Sequence, residues 1–262
     1  MDNLGKAYKG LESLKVLNVK HWTDKTFSFA LERPTGFRFR SGEFAMIGLE
    51  AGKSPLLRAY SIASPNWAEE LEFYSIKVKD GPLTSRLQNL KKDEYVFLRP
   101  KPVGTLVLDA LLPGRRLILL STGTGIAPFA SVVRDPEAYD KFEEIILTQT
   151  CRNISELEYG KAIFTEILSN EILAEVVGSK LSLISTTTRE PSELTGRLAD
   201  WLKDDRFARH TGSSINMEND RVMICGSLGM LKSHKEICEN VGMKEGSNSD
   251  PGHFVIEKAF VD

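Results

Sequence analysis

The sequence has few of the residues that form metal centres and disulfide frameworks. It contains three cysteines (Cys151, Cys225 and Cys238) and four histidines among 262 residues. The cysteines are too widely separated to suggest a disulfide framework, and neither residue type has the close spacing typical of metal ligands. We therefore expect no metal site and a cytoplasmic, reducing environment.

The chain also lacks long apolar runs and an excess of either charge. Its apolar runs are far shorter than the roughly 20 residues that a transmembrane helix needs, and its first twenty residues have no apolar signal core. With 34 basic and 36 acidic residues, the net charge is −2, which gives no overall basic field for nucleic acid or anionic membranes. A G-x-S-x-G motif is absent, which argues against a serine hydrolase.

Short strands dominate the first half of the sequence. Turn signals such as residues 80–82 (Asp-Gly-Pro) separate segments that are rich in Val, Ile, Phe and Tyr. The predicted strands cover residues 14–19, 26–31, 43–49, 57–63, 71–79 and 95–98. Six strands at this spacing predict an antiparallel β-barrel. One short helix is predicted over residues 83–90, with Thr84 and Ser85 capping its start.

The second half alternates apolar strands with helices. Strands are predicted at residues 116–120, 144–148, 181–186 and 221–225, and helices at 127–133, 156–176, 194–202 and 228–241. This alternation predicts an α/β domain with a parallel sheet covered on both faces. The boundary falls near residues 112–115, so the chain divides into residues 1–112 and 113–262, with the active site at their interface.

Residues 57–65 carry a cation, an aromatic ring and several hydroxyls on one predicted strand. Arg58 offers a planar fork of donors for a diphosphate, Tyr60 offers a ring to cover a flat heterocycle, and Ser61 offers a hydroxyl. A flavin nucleotide requires this combination. Taken alone, the segment fits an amphipathic strand with an exposed arginine and a half-buried tyrosine at least as well.

A glycine-rich turn follows the first strand of the second half. Gly123 and Gly125 place backbone amides at a helix start, where a diphosphate binds, and a Cβ atom there would keep the phosphate from the main chain. The third glycine of the usual dinucleotide fingerprint is missing, and Pro128 lies near its place. An ordinary strand-to-helix turn is the alternative, although the flanking Thr122 and Thr124 favour nucleotide binding.

Five segments, in this order, resemble the bacterial-type ferredoxin/flavodoxin–NADP reductases: residues 58–61, 81–85, 121–129, 225–227 and 254–262. The resemblance covers nearly the whole chain. It implies an FAD-binding barrel over residues 1–112 and an NADP-binding domain over residues 113–262, with a C-terminal tail that returns to the flavin. It also implies FAD and NADP(H) as cofactors and a ferredoxin or flavodoxin as the partner.

The resemblance assigns flavin contacts residue by residue. It implies that the flavin is held by Arg58, Ala59, Tyr60 and Ser61, that its mononucleotide portion is lined by Ile76, Lys77 and Val78, and that its diphosphate meets Gly81, Leu83 and Thr84. In the tail, Ala259 and Phe260 are expected to lie against the flavin. The alternative for residues 80–82 is an ordinary turn.

The nucleotide contacts implied by the resemblance lie in the second domain. They comprise Thr122, Gly123, Gly125 and Arg152 for the diphosphate, Thr124, Cys225, Gly226 and Ser227 near the nicotinamide, and Arg189 and Arg197 for the 2′-phosphate. A buried core residue is the alternative for Cys225, and a solvated charged loop is the alternative for the two arginines. Glu190 complicates the 2′-phosphate assignment, since a carboxylate usually holds a ribose diol.

We therefore expect a monomeric flavoenzyme that transfers hydride between NADPH and FAD and exchanges single electrons with ferredoxin or flavodoxin. The expected catalytic residues are Ser61, Thr124, Cys225 and Ala259. Hydride transfer requires no general acid or base. The alternatives are an NAD(P)H-dependent reductase that serves an oxygenase or free flavin, and a non-catalytic flavin-binding protein.

Overall fold

Six antiparallel strands form the first half of the protein. A computed structural model describes residues 8–259 of the whole chain. The six strands are β1 (Glu12–His21), β2 (Thr26–Glu32), β3 (Phe44–Ala51), β4 (Ser54–Ser61), β5 (Glu70–Ile76) and β6 (Tyr95–Val103). Their order in the sheet is β4-β3-β6-β1-β2-β5. An antiparallel bridge between Ile62 and Phe73 joins the two outer strands, so the sheet curls into a barrel and the predicted fold of this half is confirmed.

Apolar side chains fill the barrel. Phe27, Phe29 and Phe73 are buried, and the rings of Phe29 and Phe73 stack with their centroids 5.5 Å apart. Val16 on β1 and Ile47 on β3 are fully buried on the two strands that flank β6. Because the interior is packed with side chains, a ligand of this barrel binds at its outer edge.

The helix predicted at residues 83–90 is shorter than expected. It forms α1 (Thr84–Leu87), and the residue at its N-cap, Leu83, gives no side-chain cap. The predicted capping by Thr84 and Ser85 is wrong, because the Ser85 hydroxyl donates to the Gly81 carbonyl at 2.5 Å and Thr84 Oγ1 is buried with no hydrogen-bond partner.

The second half forms a parallel sheet. Its strands are β7 (Arg116–Ser121), β8 (Glu144–Cys151), β9 (Leu181–Thr187), β10 (Asp220–Gly226) and β11 (Phe254–Lys258), in the order β11-β10-β7-β8-β9. Along β7, Leu117 and Leu119 pack into one buried cluster, whereas Ile118 and Leu120 pack into another. Alternate residues of a strand face opposite sides of its sheet, so both faces are covered and the predicted α/β fold is confirmed.

Helices cover these two faces. They are α2 (Ala127–Val132), α3 (Pro136–Lys141), α4 (Glu158–Ser169), α5 (Glu171–Val177), α6 (Leu198–Lys203), α7 (Arg206–Thr211) and α8 (Leu228–Asn240). The single helix predicted over residues 156–176 is wrong, because Asn170 adopts an extended conformation and its side chain accepts a hydrogen bond from the Leu173 amide. None of the helices in the described range is long and apolar enough to cross a membrane.

A buried arginine joins the two halves. Arg134, which follows α2, is 6% exposed and donates to the Ala63 carbonyl at 2.7 Å and to Glu72 at 2.9 Å, both in the barrel half. It also pairs with Glu166 of α4 at 3.2 Å. Tyr159 of α4 donates to the other oxygen of Glu72 at 3.2 Å. This network satisfies a buried charge from both sides and fixes how the halves meet.

Candidate active site

A cavity of about 320 Å³ lies where the edge of the barrel meets the second domain. We call it the barrel cavity. Ten of the predicted flavin residues line it: Arg58, Ala59, Tyr60, Ser61, Ile76, Val78, Gly81, Leu83, Thr84 and Ala259. The second domain contributes Thr124, Ala127, Cys225 and Ala259. The structure thus brings together residues from β4, the end of β5, the 81–84 turn and the segment after β11.

The polar groups of the barrel cavity suit a flat, anionic ligand. The Tyr60 hydroxyl lies 3.3 Å from Ser75 Oγ, and its ring packs edge-to-face on Phe73. Burial raises the pKa of Tyr60, so the phenol stays neutral and its ring presents an uncharged face. The Arg58 guanidinium donates one N–H to the Leu57 carbonyl at 2.9 Å. A guanidinium has five such donors, so others can bind an anionic ligand.

The turn before α1 contains an unsatisfied hydroxyl. Thr84 Oγ1 is buried without a hydrogen-bond partner, and a Cβ atom on Gly81 would collide with it. A buried polar atom of this kind normally has a partner, and a phosphate oxygen of a ligand would supply one. The cation, the flat ring and this hydroxyl together fit a flavin nucleotide.

Some of the predicted flavin and phosphate contacts differ in the structure. Lys77 is not in the cavity wall, because its Nζ donates to the Thr23 carbonyl at 2.7 Å. A Cβ atom on Gly125 would collide with the Cys225 carbonyl, so the protein's own backbone already requires glycine there, and the predicted approach of a phosphate stays a prediction. A Cβ atom on Gly226 would likewise collide with Thr122 Oγ1. These two glycines allow the turn after β7 to approach the end of β10. The predicted contact of Phe260 lies outside the described residues.

A larger cavity of about 600 Å³ runs between the two domains at the carboxyl ends of the parallel strands, where open α/β sheets bind ligands. We call it the cleft. Of the predicted nucleotide residues, its wall includes Thr122, Gly123, Thr124, Arg152, Arg197 and Ser227. Gly123 has a φ of +54°, in the left-handed region that favours glycine.

Three arginines converge at one end of the cleft. An adjoining cavity of about 510 Å³ is lined by Arg152, Thr188, Arg189, Gly196, Arg197 and Asp200. We call it the arginine pocket. Guanidinium groups and a threonine hydroxyl form a donor set that suits a phosphomonoester. Glu190 does not compete there, because its carboxylate accepts a hydrogen bond from the Ile154 amide at 2.7 Å.

The barrel cavity and the cleft share part of their walls. Tyr74, Ile76 and Thr124 line both. Tyr74 was not predicted to belong to the site, because a tyrosine that is 4% exposed within a strand has the pattern of a core residue. Its ring stacks face to face on Tyr159, with centroids 3.9 Å apart. Ligands in the two cavities therefore meet beside Tyr74 and Thr124.

Cys225 lines the barrel cavity on the side of the second domain and is 1% exposed. Burial raises the pKa of its thiol far above the ordinary value, so the thiol stays protonated. A buried, neutral thiol is a poor nucleophile. The side chain is therefore suited to contact a ligand and not to attack one.

Known proteins resemble this chain over nearly its whole length. Residues 119–236 match the family model of the oxidoreductase NAD-binding domain. A flavodoxin/ferredoxin–NADP reductase from Rhodobacter capsulatus is 55% identical over 94% of this chain and 92% of its own. A ferredoxin–NADP reductase from Pseudomonas aeruginosa is 47% identical over 95% of this chain and 97% of its own.

The chain belongs to the ferredoxin/flavodoxin–NADP reductase family.

Among solved structures, a ferredoxin–NADP⁺ reductase from Neisseria gonorrhoeae, crystallised with FAD and NADP, has a TM-score of 0.87 and 28% identity. The match covers 97% of this chain and 100% of that one. The sequence-based predictions of family, fold, reductase activity and the cofactor pair are thereby confirmed at the level of the family.

Proposed function

We propose that the chain exchanges electrons between NADP(H) and a ferredoxin or flavodoxin, using FAD held in the barrel cavity. The main support for the proposal is that the two cavities share the wall formed by Tyr74, Ile76 and Thr124, so that a nucleotide in the cleft would contact a ligand in the barrel cavity. Bound FAD supplies the chemistry that links two-electron exchange with nicotinamide to one-electron exchange with a protein carrier.

The barrel residues bind and orient the flavin. Arg58 neutralises the charge of the diphosphate, and the hydroxyl of Thr84 donates a hydrogen bond to it. Tyr60 covers one face of the flavin ring. Ser61, in the same wall, hydrogen-bonds the polar edge of the ring. Ala259 closes the wall from the side of the second domain, and its amide is fixed by a 3.1 Å hydrogen bond to the Gly226 carbonyl.

The second domain binds and orients the pyridine nucleotide. Thr124 contacts the nicotinamide, since it lies where the two cavities meet, and Cys225 contacts the nicotinamide from the barrel cavity, whose wall it shares with Thr124. The backbone around Gly123 binds the diphosphate, and the arginine pocket binds the 2′-phosphate. Both Thr124 and Cys225 are less than 10% exposed, and the wall to which they belong holds the reacting rings together.

The proposal includes the division of the chain at residues 112 and 113. The division is supported by the segment without a strand that lies between the last barrel strand, which ends at Val103, and the first parallel strand, which begins at Arg116. A monomeric state and a cytoplasmic location stay predictions from the sequence.

The first experiment examines the purified protein for bound flavin. We expect a yellow protein whose visible absorbance is bleached by NADPH without further additions. A colourless protein that FAD does not reconstitute would overturn the proposal and would favour a nucleotide-binding protein without redox activity.

A second experiment tests the arginine pocket. Arg189→Ala and Arg197→Ala should each weaken NADPH use by about 10-fold or more, because each loses a charge-assisted contact, and NADH use should change little. Arg209→Ala is the matched control, since Arg209 is an exposed arginine outside these cavities. Equal losses with both nucleotides would show that the 2′-phosphate binds elsewhere.

The electron carrier is identified by stopped-flow oxidation of the reduced enzyme. Val78 is 43% exposed and also lines the barrel cavity, so an edge of the site reaches the surface beside the exposed Lys79. We expect rapid oxidation by a ferredoxin or flavodoxin and a loss of rate in Lys79→Glu. Fast transfer to free flavin with neither carrier active would instead favour a free-flavin reductase.

A further inference from the structure

A lysine of the barrel reaches into the wall of the cleft. Lys25 belongs to the turn between β1 and β2, and its Nζ lies 3.3 Å from Oε1 of Glu156, which belongs to the second domain. Among the described residues that form the cleft wall, Lys25 is the only cation that comes from the barrel. Its ion pair with Glu156 thus crosses from one domain to the other at the place where a nucleotide binds.

The backbone of Lys25 is fixed while its side chain is accessible. The Lys25 amide donates to Thr23 Oγ1 at 2.9 Å, and its carbonyl accepts from the Lys77 amide at 2.6 Å. The side chain of Lys25 is 50% exposed, against 14% for that of Glu156. A long, flexible stem with three rotatable donors on its ammonium can add an anion to its contacts without moving the main chain.

Glu156 is held in place by other contacts. Its Oε2 accepts hydrogen bonds from the amides of Arg152 at 2.9 Å and Asn153 at 3.2 Å. The carboxylate therefore stays in the wall of the cleft when a ligand enters, and its negative charge repels a phosphate. Lys25 is placed to offset that repulsion.

The cations of the cleft are unevenly distributed. Arg152 and Arg197 line both the cleft and the arginine pocket, so both lie at the 2′-phosphate end of the cleft, although the sequence suggested the diphosphate for Arg152. Towards the barrel, where Thr26 and Ile76 form the wall, the positive charge comes from Lys25. A dinucleotide carries its diphosphate between its two ends, and Lys25 does not line the barrel cavity, to which the proposed function assigns FAD.

We infer that Lys25 binds the diphosphate of the pyridine nucleotide and that nucleotide binding thereby ties the barrel to the second domain. This inference rests on the proposed function, since it assumes that the cleft binds NADP(H). It assigns a nucleotide contact to the barrel half, whereas the sequence placed every such contact in the second domain.

The test compares two ligands that differ in the diphosphate. The oxidised, FAD-loaded protein is titrated with NADP⁺ and with 2′-AMP, which carries the 2′-phosphate but no diphosphate, and binding is followed by flavin difference spectra. Lys25→Met should weaken NADP⁺ binding about 3- to 10-fold, because a charge-assisted contact is lost and Glu156 is left unpaired. Binding of 2′-AMP should stay within about 2-fold, and Lys25→Arg should restore most of the NADP⁺ affinity.

Lys91→Met is the matched control, because Lys91 is an exposed lysine of the barrel half outside both cavities; it should leave both affinities unchanged. Raising the ionic strength should weaken NADP⁺ binding less steeply in Lys25→Met than in the wild type, since one cation fewer faces the diphosphate.

If Lys25→Met weakened the binding of NADP⁺ and of 2′-AMP equally, the ion pair would only support the fold. If the NADP⁺ affinity were unchanged, Lys25 would face solvent. Either result overturns this inference and leaves the proposed function standing. A wild-type protein that binds neither ligand overturns both.

Discussion

Replacing Glu257 with glutamine is expected to stabilise the protein at alkaline pH. Glu257 lies on β11 opposite Cys225, and its Oε1 accepts a hydrogen bond from the Thr105 amide at 2.6 Å. Burial raises the pKa of this carboxyl group from 4.5 to about 7, and the nearby charge of Glu43 acts in the same direction. Glutamine has the shape of the protonated acid but carries no charge to bury.

The sign of the pH dependence follows from the two pKa values. Between pH 4.5 and about 7 the folded protein keeps a proton on Glu257 that the unfolded chain releases, so the free energy of unfolding falls as the pH rises through this window. At about 1.4 kcal/mol for each pH unit, moving the pKa from 4.5 to about 7 costs the folded protein about 3 kcal/mol once the group is charged.

The assay is thermal unfolding of wild type and Glu257→Gln at pH 4.5 and pH 8.5, followed by circular dichroism. For a chain of this size, about 3 kcal/mol corresponds to a Tm difference of roughly 5–10 °C, expected at pH 8.5 and nearly absent at pH 4.5. Glu218→Gln, an exposed position, is the control. A Tm difference that is the same at both pH values would refute the reasoning, because a fixed packing effect does not depend on protonation.

Three further predictions concern packing and polar groups. Gly125→Ala should lower the free energy of unfolding and slow reduction by NADPH, because its Cβ collides with the Cys225 carbonyl; unchanged urea denaturation and rate would contradict this. Asp220→Ala should cost about 3–5 kcal/mol in urea denaturation, because it leaves Arg116, 6% exposed in its side chain, without the carboxylate that it pairs with at 2.8 Å. Thr84→Val should weaken FAD binding in a fluorescence titration without destabilising the flavin-free protein, because it removes a buried hydroxyl that has no partner there; a less stable apoprotein would show that the hydroxyl already has one.

The sheets were predictable because their side-chain patterns depend on short-range periodicity. The continuous apolar run of β7 marks a strand that is buried on both faces, and the structure packs its alternate residues into separate clusters. Helix ends were harder to predict. Asn170 lies within a continuous helical pattern, and only its actual backbone conformation shows that it ends α4 and caps α5.

The site was predictable where residue types carry specific chemistry, as with Arg58 and the arginine pocket. Tyr74 was missed because burial in a strand hides its contact with both cavities. The Lys77 side chain points away from the barrel cavity, because side chains alternate along an extended chain and its neighbours Ile76 and Val78 line the wall; a contact from Lys77 to the flavin stays a prediction. Lys25 was not predicted because a charged residue in a turn has the pattern of ordinary surface, and its approach to Glu156 depends on how the domains are placed.

The buried Arg134 has a consequence for exchanging domains between related proteins. Two of its partners, the Ala63 carbonyl and the Glu72 carboxylate, belong to the barrel half, whereas the arginine itself belongs to the second. A chimera that joined this second domain to a foreign barrel without a carboxylate at the position of Glu72 would enclose a charge that has lost its main counter-ion. The two halves therefore have separate topologies but share one buried ion pair. A successful graft has to transfer both sides of this contact together.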